Sequence, residues 1–224
     1  MGAEASGRTP LVEIVPNFSE GRRQDVIDAI LAACRVPGVR MLTWQADPDH
    51  NRLDASLVGS PDAVRRSALA AAAKGAELID MDEQQGSHPR MGAVDVIPFL
   101  PIRDISMEDC VALARDVGQA VAERYHVPVF LYEEAASAPH RRNLEDVRRG
   151  QFEALAERMR EPLWRPDFGP AEPHPSAGAV VVGARMPLIA YNINLGTADV
   201  TSPAASPRPS ATAAAATGTS RPWA

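Results

Sequence analysis

Hydrophobic residues follow two different spacings along the chain, and their alternation predicts a layered α/β domain. LVEIVP at 11–16 and PVFLYE at 128–133 have the length and the β-branched or aromatic content of buried strands. In residues 24–35 and 61–79 the apolar positions instead recur every three or four residues, as on one face of an amphipathic helix. Strands that alternate with helices predict a sheet with helices packed on it.

A hairpin predicted near the N-terminus makes the expected sheet mixed and not purely parallel. GVRMLTW at 38–44 and RLDASLVG at 52–59 flank the polar segment ADPDHN, and Leu53, Ala55 and Leu57 share one face of the second strand. The expected fold class is therefore α/β, and α+β-like in its mixed sheet, as a single layered domain with helices packed on the sheet.

Local signals predict the remaining elements. Ser60 and Pro61 form an N-cap and a first-turn proline, and SMED at 106–109 is a capping box that opens another helix. The nearly continuous apolar run VDVIPFLP at 94–101 predicts a central strand. A charged helix is expected over about 144–159, followed by two last strands, AVVVGA and PLIAYNIN.

A change of composition near residue 197 predicts the domain boundary. Beyond it the chain is rich in Ala, Ser, Thr and Pro and has almost no large apolar residue. Such a segment buries too little surface to offset the entropy of ordering. We expect a flexible leader at 1–10, one domain at 11–196 and a disordered low-complexity tail at 197–224.

Charge and cysteine content argue against several classes of protein. The 23 basic and 29 acidic residues give a net charge of −6, with no basic stripe to follow a phosphate backbone, so a nucleic-acid partner is not expected. No apolar run approaches the roughly 20 residues of a membrane span. Cys34 and Cys110 fall in predicted helices, which favours buried, reduced thiols in a cytoplasmic protein.

The histidines do not have the spacing of a metal site. None of the five pairs with another at helical spacing or lies near a cysteine ligand pair, so no metal is expected. His50, His126 and His140 are most simply turn or surface residues.

His88, in GSHPRMGAVDVIPFLP, has a different setting. Gly86 permits close backbone approach, Pro89 restricts the following dihedral, and the apolar strand begins shortly afterwards. An imidazole held there, with an ordinary pKa near ~6.5, can accept and return a proton at neutral pH. The alternative is a turn histidine whose ring is satisfied by backbone groups.

The segment GPAEPHPSAG at 169–178 is a second candidate site. Its two terminal glycines bracket three prolines, so the loop is stiff and exposes backbone groups that could lie along a flat heterocyclic ligand. A plain connection between a helix and a strand is the alternative.

Three segments together resemble one protein family. LVEIVPNFSEGR, GSHPRMGAVDVIPFLP, and DFGP followed by VVGAR and LIAYNINL are similar to glutamate formimidoyltransferases, from about Leu11 to Leu195. The resemblance implies a transferase unit of two α/β subdomains, of which this chain matches the N-terminal one. It implies transfer of the formimino group of N-formimino-L-glutamate to N5 of tetrahydrofolate, without a metal.

The same resemblance implies the site residues. The histidine of the HPRMGA motif, His88 here, would be the catalytic base. The loop that follows DFGP would bind folate or substrate, through Gly169, Pro170, Ala171, Glu172, Pro173, His174, Pro175, Ser176, Ala177 and Gly178. Arg52 and Arg90 are candidates by position for the substrate carboxylates.

The chain departs from the family pattern in three places. Thr43, Trp44 and Gln45 stand where the family usually has D-x-D, so Gln45 offers a hydrogen bond but no charge for orienting the histidine. Ala177 stands where the folate loop usually has tryptophan, which removes a stacking surface. The family's second subdomain does not follow NINL, so the chain would supply one wall of the folate site.

Three functional interpretations stay open at this point. The chain is a formimidoyltransferase, active alone or with a partner; a non-catalytic relative that binds folate or regulates a full-length homologue; or a splice or frameshift product. Apolar surface that a missing subdomain leaves exposed also predicts self-association, as a homo-oligomer or with a full-length homologue.

Overall fold

The computed structural model describes residues 9–188, and the described residues up to Arg185 fall in one compact unit built on a seven-stranded sheet. The strands are β1 Leu11–Ile14, β2 Asn17–Phe18, β3 Val39–Asp47, β4 Arg52–Gly59, β5 Val94–Arg103, β6 Val129–Glu133 and β7 Val180–Ala184. The helices are α1 Gln24–Cys34, α2 Pro61–Leu78, α3 Met107–Tyr125, α4 Leu144–Val147 and α5 Leu155–Arg158, with 3-10 turns at Pro139–Arg141 and Pro162–Trp164.

The short strands β1 and β2 are two pieces of one interrupted strand. Both lie between β4 and β5 and are antiparallel to both. The interruption includes Pro16, which has no N–H for the ladder, although its carbonyl still accepts the Ala55 N–H at 3.2 Å. β3 pairs with β4 as an antiparallel hairpin, whereas β7 and β6 continue in parallel from β5. The predicted hairpin and mixed sheet are confirmed.

The first three helices cover one face of the sheet. The alternation predicted for β4 is confirmed, since Leu53, Ala55 and Leu57 are fully buried in the core beneath these helices. The capping box at Ser106 and Asp109 is also present at the start of α3. Local sequence signals and burial therefore agree over this half of the molecule.

The opposite face of the sheet is divided into two halves. Over β5, β7 and β6, the segment that contains α4 and α5 packs on a second apolar cluster. This cluster comprises Met91, Val96, Phe130, Tyr132, Val147, Leu155, Met159, Ala179 and Val181. β5 and β7 are thus buried on both faces, which explains their continuous apolar sequence. On β4 the same face carries the partly exposed side chains of Arg52, Asp54 and Ser56.

The predicted helix over 144–159 is wrong, because the segment breaks into the single turns α4 and α5. Between these two turns, Gly150 has a φ of 82° and Gln151 a φ of 56°, both in the left-handed region. The Phe152 N–H then donates to the Arg90 carbonyl at 2.9 Å, a tertiary hydrogen bond that replaces a helical one. The Arg158 guanidinium donates to the carbonyls of Asp146 and Val147, at the end of α4, and of Arg149, just after it.

The two cysteines are buried, free thiols on α1 and α3, as predicted. Burial raises the pKa of the Cys34 thiol to about 12 and that of Cys110 to about 11, so both stay protonated at neutral pH. Within residues 9–188 no helix is both long and apolar enough to cross a membrane.

Several sequence predictions lie outside the described residues. They are the leader up to residue 8, the tail at 197–224 and most of the PLIAYNIN strand. The boundary between domain and tail, near residue 196, therefore stays a prediction.

The two faces of β4 give a matched pair of variants. Leu57→Ala should lower the free energy of unfolding by about 2–5 kcal/mol, because it opens a cavity in the core. Val58→Ala, on the adjacent and partly exposed position, should cost less than about 1 kcal/mol. Urea denaturation of both variants measures the difference, and equal losses would contradict this assignment of the faces.

Candidate functional site

Three segments meet at one edge of the sheet and form the candidate site. β4, β5 and β7 run in the same direction, so their N-terminal ends share this edge. The segment that carries His88 leads into β5, Arg52 opens β4, and the loop at 169–178 leads into β7. The fold therefore brings to one edge the residues that the sequence singled out.

Hydrogen bonds tie the His88 segment to the turn between β3 and β4. The Ser87 N–H and hydroxyl both donate to the Asp49 carbonyl at 3.2 Å. Asn51 donates to the Gln85 carbonyl at 2.9 Å and accepts the Gly21 N–H at 2.8 Å. Asn51, buried and with φ of 48°, thereby joins three segments of backbone.

Gly86 allows this close approach because it has no side chain. A Cβ atom at Gly86 would lie 2.2 Å from the His50 carbonyl oxygen, which is an impossible contact. The approach brings the imidazole rings of His50 and His88 to a centroid distance of 5.8 Å, tilted by 51°. The sequence prediction for His50, a hairpin turn, is confirmed, but its proximity to His88 is new.

A buried ion pair lies beneath the segment. The side chains of Asp95, on β5, and Arg148, after α4, are only 3% and 4% exposed and contact each other directly. The second carboxylate oxygen of Asp95 accepts the Met91 N–H at 2.9 Å. Asp95 therefore holds the backbone three residues after His88 while it neutralises Arg148.

The environment of His88 favours the neutral imidazole. Partial burial is the main cause, and the positive charges of Arg148 and Arg52 add to it, so the pKa of His88 falls to about 4. Asp95 acts in the opposite direction, and a protonated His50 would lower the pKa further. The ordinary pKa assumed for this residue from the sequence is thus wrong, and the ring is unprotonated at pH 7.

The two arginines that are candidates for binding substrate carboxylates, Arg52 and Arg90, differ in how completely their guanidinium groups are already hydrogen-bonded. Arg52 donates to Asp54 at 2.9 Å and to Asn17, and its Nε is buried without a hydrogen-bond partner in the described part of the chain. It lines a small depression together with His88. The Arg52 side chain is also partly exposed, so its charge is accessible at the site.

The guanidinium of Arg90, by contrast, is already enclosed. Its Nε donates to the Gln84 side chain at 2.8 Å, and its terminal nitrogens contact Gln151 and Glu153 at 2.8–3.1 Å. Arg90 is also only 8% exposed. Its present contacts give it a structural role in joining residues 84–90 to the segment after α4.

The second half of the 169–178 loop is bound to the His88 segment by backbone contacts. Ser176 and Ala177 accept the N–H groups of Met81 and Ala93 at 2.8 and 3.0 Å. A Cβ at Gly92 would lie 2.2 Å from the Ala179 carbonyl oxygen, so glycine is needed for this contact. The loop and the histidine segment therefore form one structural unit.

The first half of the loop is exposed, from Gly169 to Glu172. Pro173, His174 and Pro175 then line an open pocket of about 530 Å³, whose other walls include Phe152 and Arg90. The His174 Nδ1 accepts the Ala177 N–H at 3.1 Å, which makes this imidazole part of the loop's own framework.

Two residues that differ from the family pattern, Ala177 and Gln45, lie among the described residues. Ala177 is 2% exposed and packs in the main core, so its side chain is directed inward. Gln45 is exposed on β3, paired across the strands with Asp54. The charged groups that act on His88 are those of Arg148, Arg52 and Asp95.

Sequence reasoning missed four residues of this site: His50, Asn51, Asp95 and Arg148. Asp95 carried a usable signal, because it is the one charged residue inside the apolar run VDVIPFLP. Nothing local indicated that Arg148 pairs with Asp95, since the two residues lie 53 positions apart along the chain. Over residues 9–188, no cluster of three or more His, Cys, Asp or Glu side chains is arranged to hold a metal.

The buried pair makes a direct test of the framework possible. Asp95→Asn keeps an acceptor for the Met91 N–H but removes the charge beside Arg148, so it should cost about 3 kcal/mol of unfolding free energy. Asp54→Asn, at the more exposed Arg52 pair, should cost less than about 1 kcal/mol. Chemical denaturation measures both losses of stability. An Asp95→Asn variant as stable as the wild type would contradict a structural role for the pair.

The pKa of His88 is measurable without any ligand. In an NMR titration its ring should stay neutral until the pH falls to about 4. The unfolded chain, with an ordinary pKa near ~6.5, binds this proton more readily, so the contribution of His88 makes stability rise from pH 4 to about 6.5. His88→Gln should flatten that slope in urea denaturations. A His88 ring that titrates near pH 6.5 in the NMR experiment would refute the effect of burial on its pKa.

Comparison with known proteins gives a single family. Residues 11–185 match the model of the formiminotransferase domain, N-terminal subdomain. The chain is 44% identical over 191 residues to a glutamate formimidoyltransferase of Streptococcus pyogenes, covering 85% of this chain and 64% of that protein. It is 52% identical over 186 residues to the formimidoyltransferase-cyclodeaminase of mouse, covering 83% of this chain and 34% of that protein.

The alignments cover only part of the length of each relative. A glutamate formimidoyltransferase of Thermoplasma acidophilum is 47% identical over 193 residues, again with 85% of this chain and 63% of the relative covered. The chain thus spans less than two thirds of the length of the curated relatives it matches. The identity and the matched residues establish that the chain belongs to the formiminotransferase domain family, to its N-terminal subdomain.

Proposed function

We propose that this chain takes part in folate-dependent formimidoyl transfer, from N-formimino-L-glutamate to tetrahydrofolate, with His88 as the base. The observation that carries the proposal is a half-buried, neutral imidazole beside Arg52, at the edge of the sheet where the 169–178 loop is attached. The family membership and the names of the relatives support the reaction class.

The reaction requires proton transfer at two nitrogens. N5 of the reduced pterin loses its proton as it attacks the formimino carbon, and the departing glutamate nitrogen gains one. An unprotonated imidazole at a ligand-accessible position can accept the first proton. His88 meets this requirement at pH 7, because its neutral form is the favoured one.

The low pKa of His88 also makes the imidazole a weak base in the free protein. Arg52 and Arg148 supply part of this effect through their positive charges. A substrate carboxylate bound to the partly exposed side chain of Arg52 would offset that charge and raise the pKa of His88 toward its ordinary value. Substrate binding would therefore increase the basicity of the residue that acts on the substrate.

The loop at 169–178 is proposed as the folate or substrate wall. Its exposed first half and the pocket of about 530 Å³ next to it offer room for a heterocycle against Phe152 and the prolines. The buried position of Ala177 means that contacts from the second half would come from neighbouring residues and backbone. No residue of the proposal requires a metal.

The alternative is a non-catalytic protein that binds folate or regulates a full-length homologue. It is favoured by the weak basicity of His88 in the free chain and by the share of the relatives that the chain covers. Leu42 and Trp44, exposed on β3, and Ile102 offer apolar surface for self-association or for such a partner. A cytoplasmic location stays a prediction.

An assay of formimino transfer with the purified chain tests the proposal. His88→Ala should abolish transfer, a loss of at least about 10²-fold, while thermal unfolding changes little because the ring is at the surface edge of the site. His126→Asn, at an exposed left-handed C-cap that Asn tolerates, is the matched control and should retain full activity.

Three results divide the interpretations. Turnover that His88→Ala removes and His126→Asn preserves supports the transferase. No turnover, but a rise in melting temperature with tetrahydrofolate, supports the binding protein. Neither turnover nor stabilisation would refute both for the isolated chain.

A further inference from the structure

We propose that His50 is a second catalytic imidazole, the general acid that protonates the departing nitrogen while His88 acts as the base. This inference rests on the proposed function, and it assigns a role to a residue that lies outside the HPRMGA motif. It follows from the position of the two rings, from the carboxylate beside His50 and from the opposite charges of their surroundings.

The two imidazoles face the same space. Their ring centroids are 5.8 Å apart, and both rings line a small depression together with Arg52 and Asp95. The His50 side chain is half exposed, so a ligand in the depression can reach it. The two imidazoles therefore border the same point of the candidate site.

Asp47 orients the His50 ring. Its Oδ2 lies 3.5 Å from the His50 Nδ1, and its Oδ1 accepts the N–H groups of Asp49 and His50 at 2.9 Å. The backbone hydrogen bond from His50 is the main reason that the pKa of the Asp47 carboxyl lies below its ordinary value. A carboxylate on the Nδ1 side leaves Nε2 on the opposite side of the ring, as in other carboxylate–histidine pairs.

The surroundings of the two rings have opposite charge. His88 is faced by Arg52 from β4 and Arg148 from the segment after α4, with Asp95 of β5 as the opposing charge and His50 as its neighbour. His50 is faced by the Asp47 carboxylate and by His88. A base beside arginines and an acid beside a carboxylate is an arrangement that suits the two roles.

The proton balance closes within the pair. His88 takes the N5 proton as the bond from N5 to the formimino carbon forms, and protonated His50 gives its proton to the glutamate nitrogen as the bond from carbon to that nitrogen breaks. His88 is then charged and His50 neutral. Transfer of one proton from His88 to His50, directly or through a water molecule, restores both for the next turnover.

The activity test uses His50→Gln, which keeps a polar side chain but cannot exchange a proton. We expect kcat to fall by about 10²-fold with KM changed by less than about twofold, since the effect is on the transition state. Added imidazole should partly rescue His50→Ala. His126→Asn should match the wild type in every measurement.

NMR gives a readout that does not depend on turnover. Because a protonated His50 lowers the pKa of His88, the ring of His88 should titrate at higher pH in His50→Gln than in the wild type. The same titration in His126→Asn should be unchanged. Melting temperatures of the variants check that the fold is retained.

The outcomes separate this inference from the proposed function. Wild-type turnover with an unchanged kcat in His50→Gln, and no rescue of His50→Ala by imidazole, would overturn the role of His50 alone. An unchanged His88 titration in that variant would overturn the pairing, whether or not transfer is detected. Absence of wild-type turnover would overturn the proposed function for this chain and the acid role with it.

Discussion

The buried contact between Asp95 and Arg148 is the interaction on which the site depends. A carboxylate and a guanidinium that are almost fully enclosed must satisfy each other, because either alone would carry a large desolvation penalty. Asp95 also accepts the Met91 N–H, so the same carboxylate fixes the backbone that follows His88. One ion pair thus joins the start of a central strand to the segment that covers the far face of the sheet.

The same pair explains the electrostatics of the site. Burial of His88 and the positive charge of Arg148 and Arg52 keep the imidazole neutral, and Asp95 offsets only part of that charge. Under the proposed function a neutral ring is available as a base but is a weak one, and a ligand that contributes negative charge would strengthen it. Arg52, partly exposed and bordering the same depression as His88, is positioned for such a ligand.

The sheet itself determines where chemistry can occur. β4, β5 and β7 begin at one edge, and the turn between β3 and β4, the His88 segment and the 169–178 loop are joined there by backbone hydrogen bonds. Glycines at 86 and 92 allow these contacts, because a Cβ at either would overlap a carbonyl oxygen. The site is therefore built from three chain segments that backbone hydrogen bonds join at one edge of the sheet.

The sequence by itself determined the elements whose signals are local. Hydrophobic periodicity, the N-cap at Ser60 and the capping box at Ser106 predicted the helices and strands. The segments LVEIVPNFSEGR, GSHPRMGAVDVIPFLP, and DFGP with VVGAR and LIAYNINL indicated the family. Only the tertiary structure decided the break in 144–159, where the Arg90 carbonyl takes the Phe152 N–H. It also decided the position of His50 against His88 and the low pKa of His88, because these depend on burial and on charges distant in sequence.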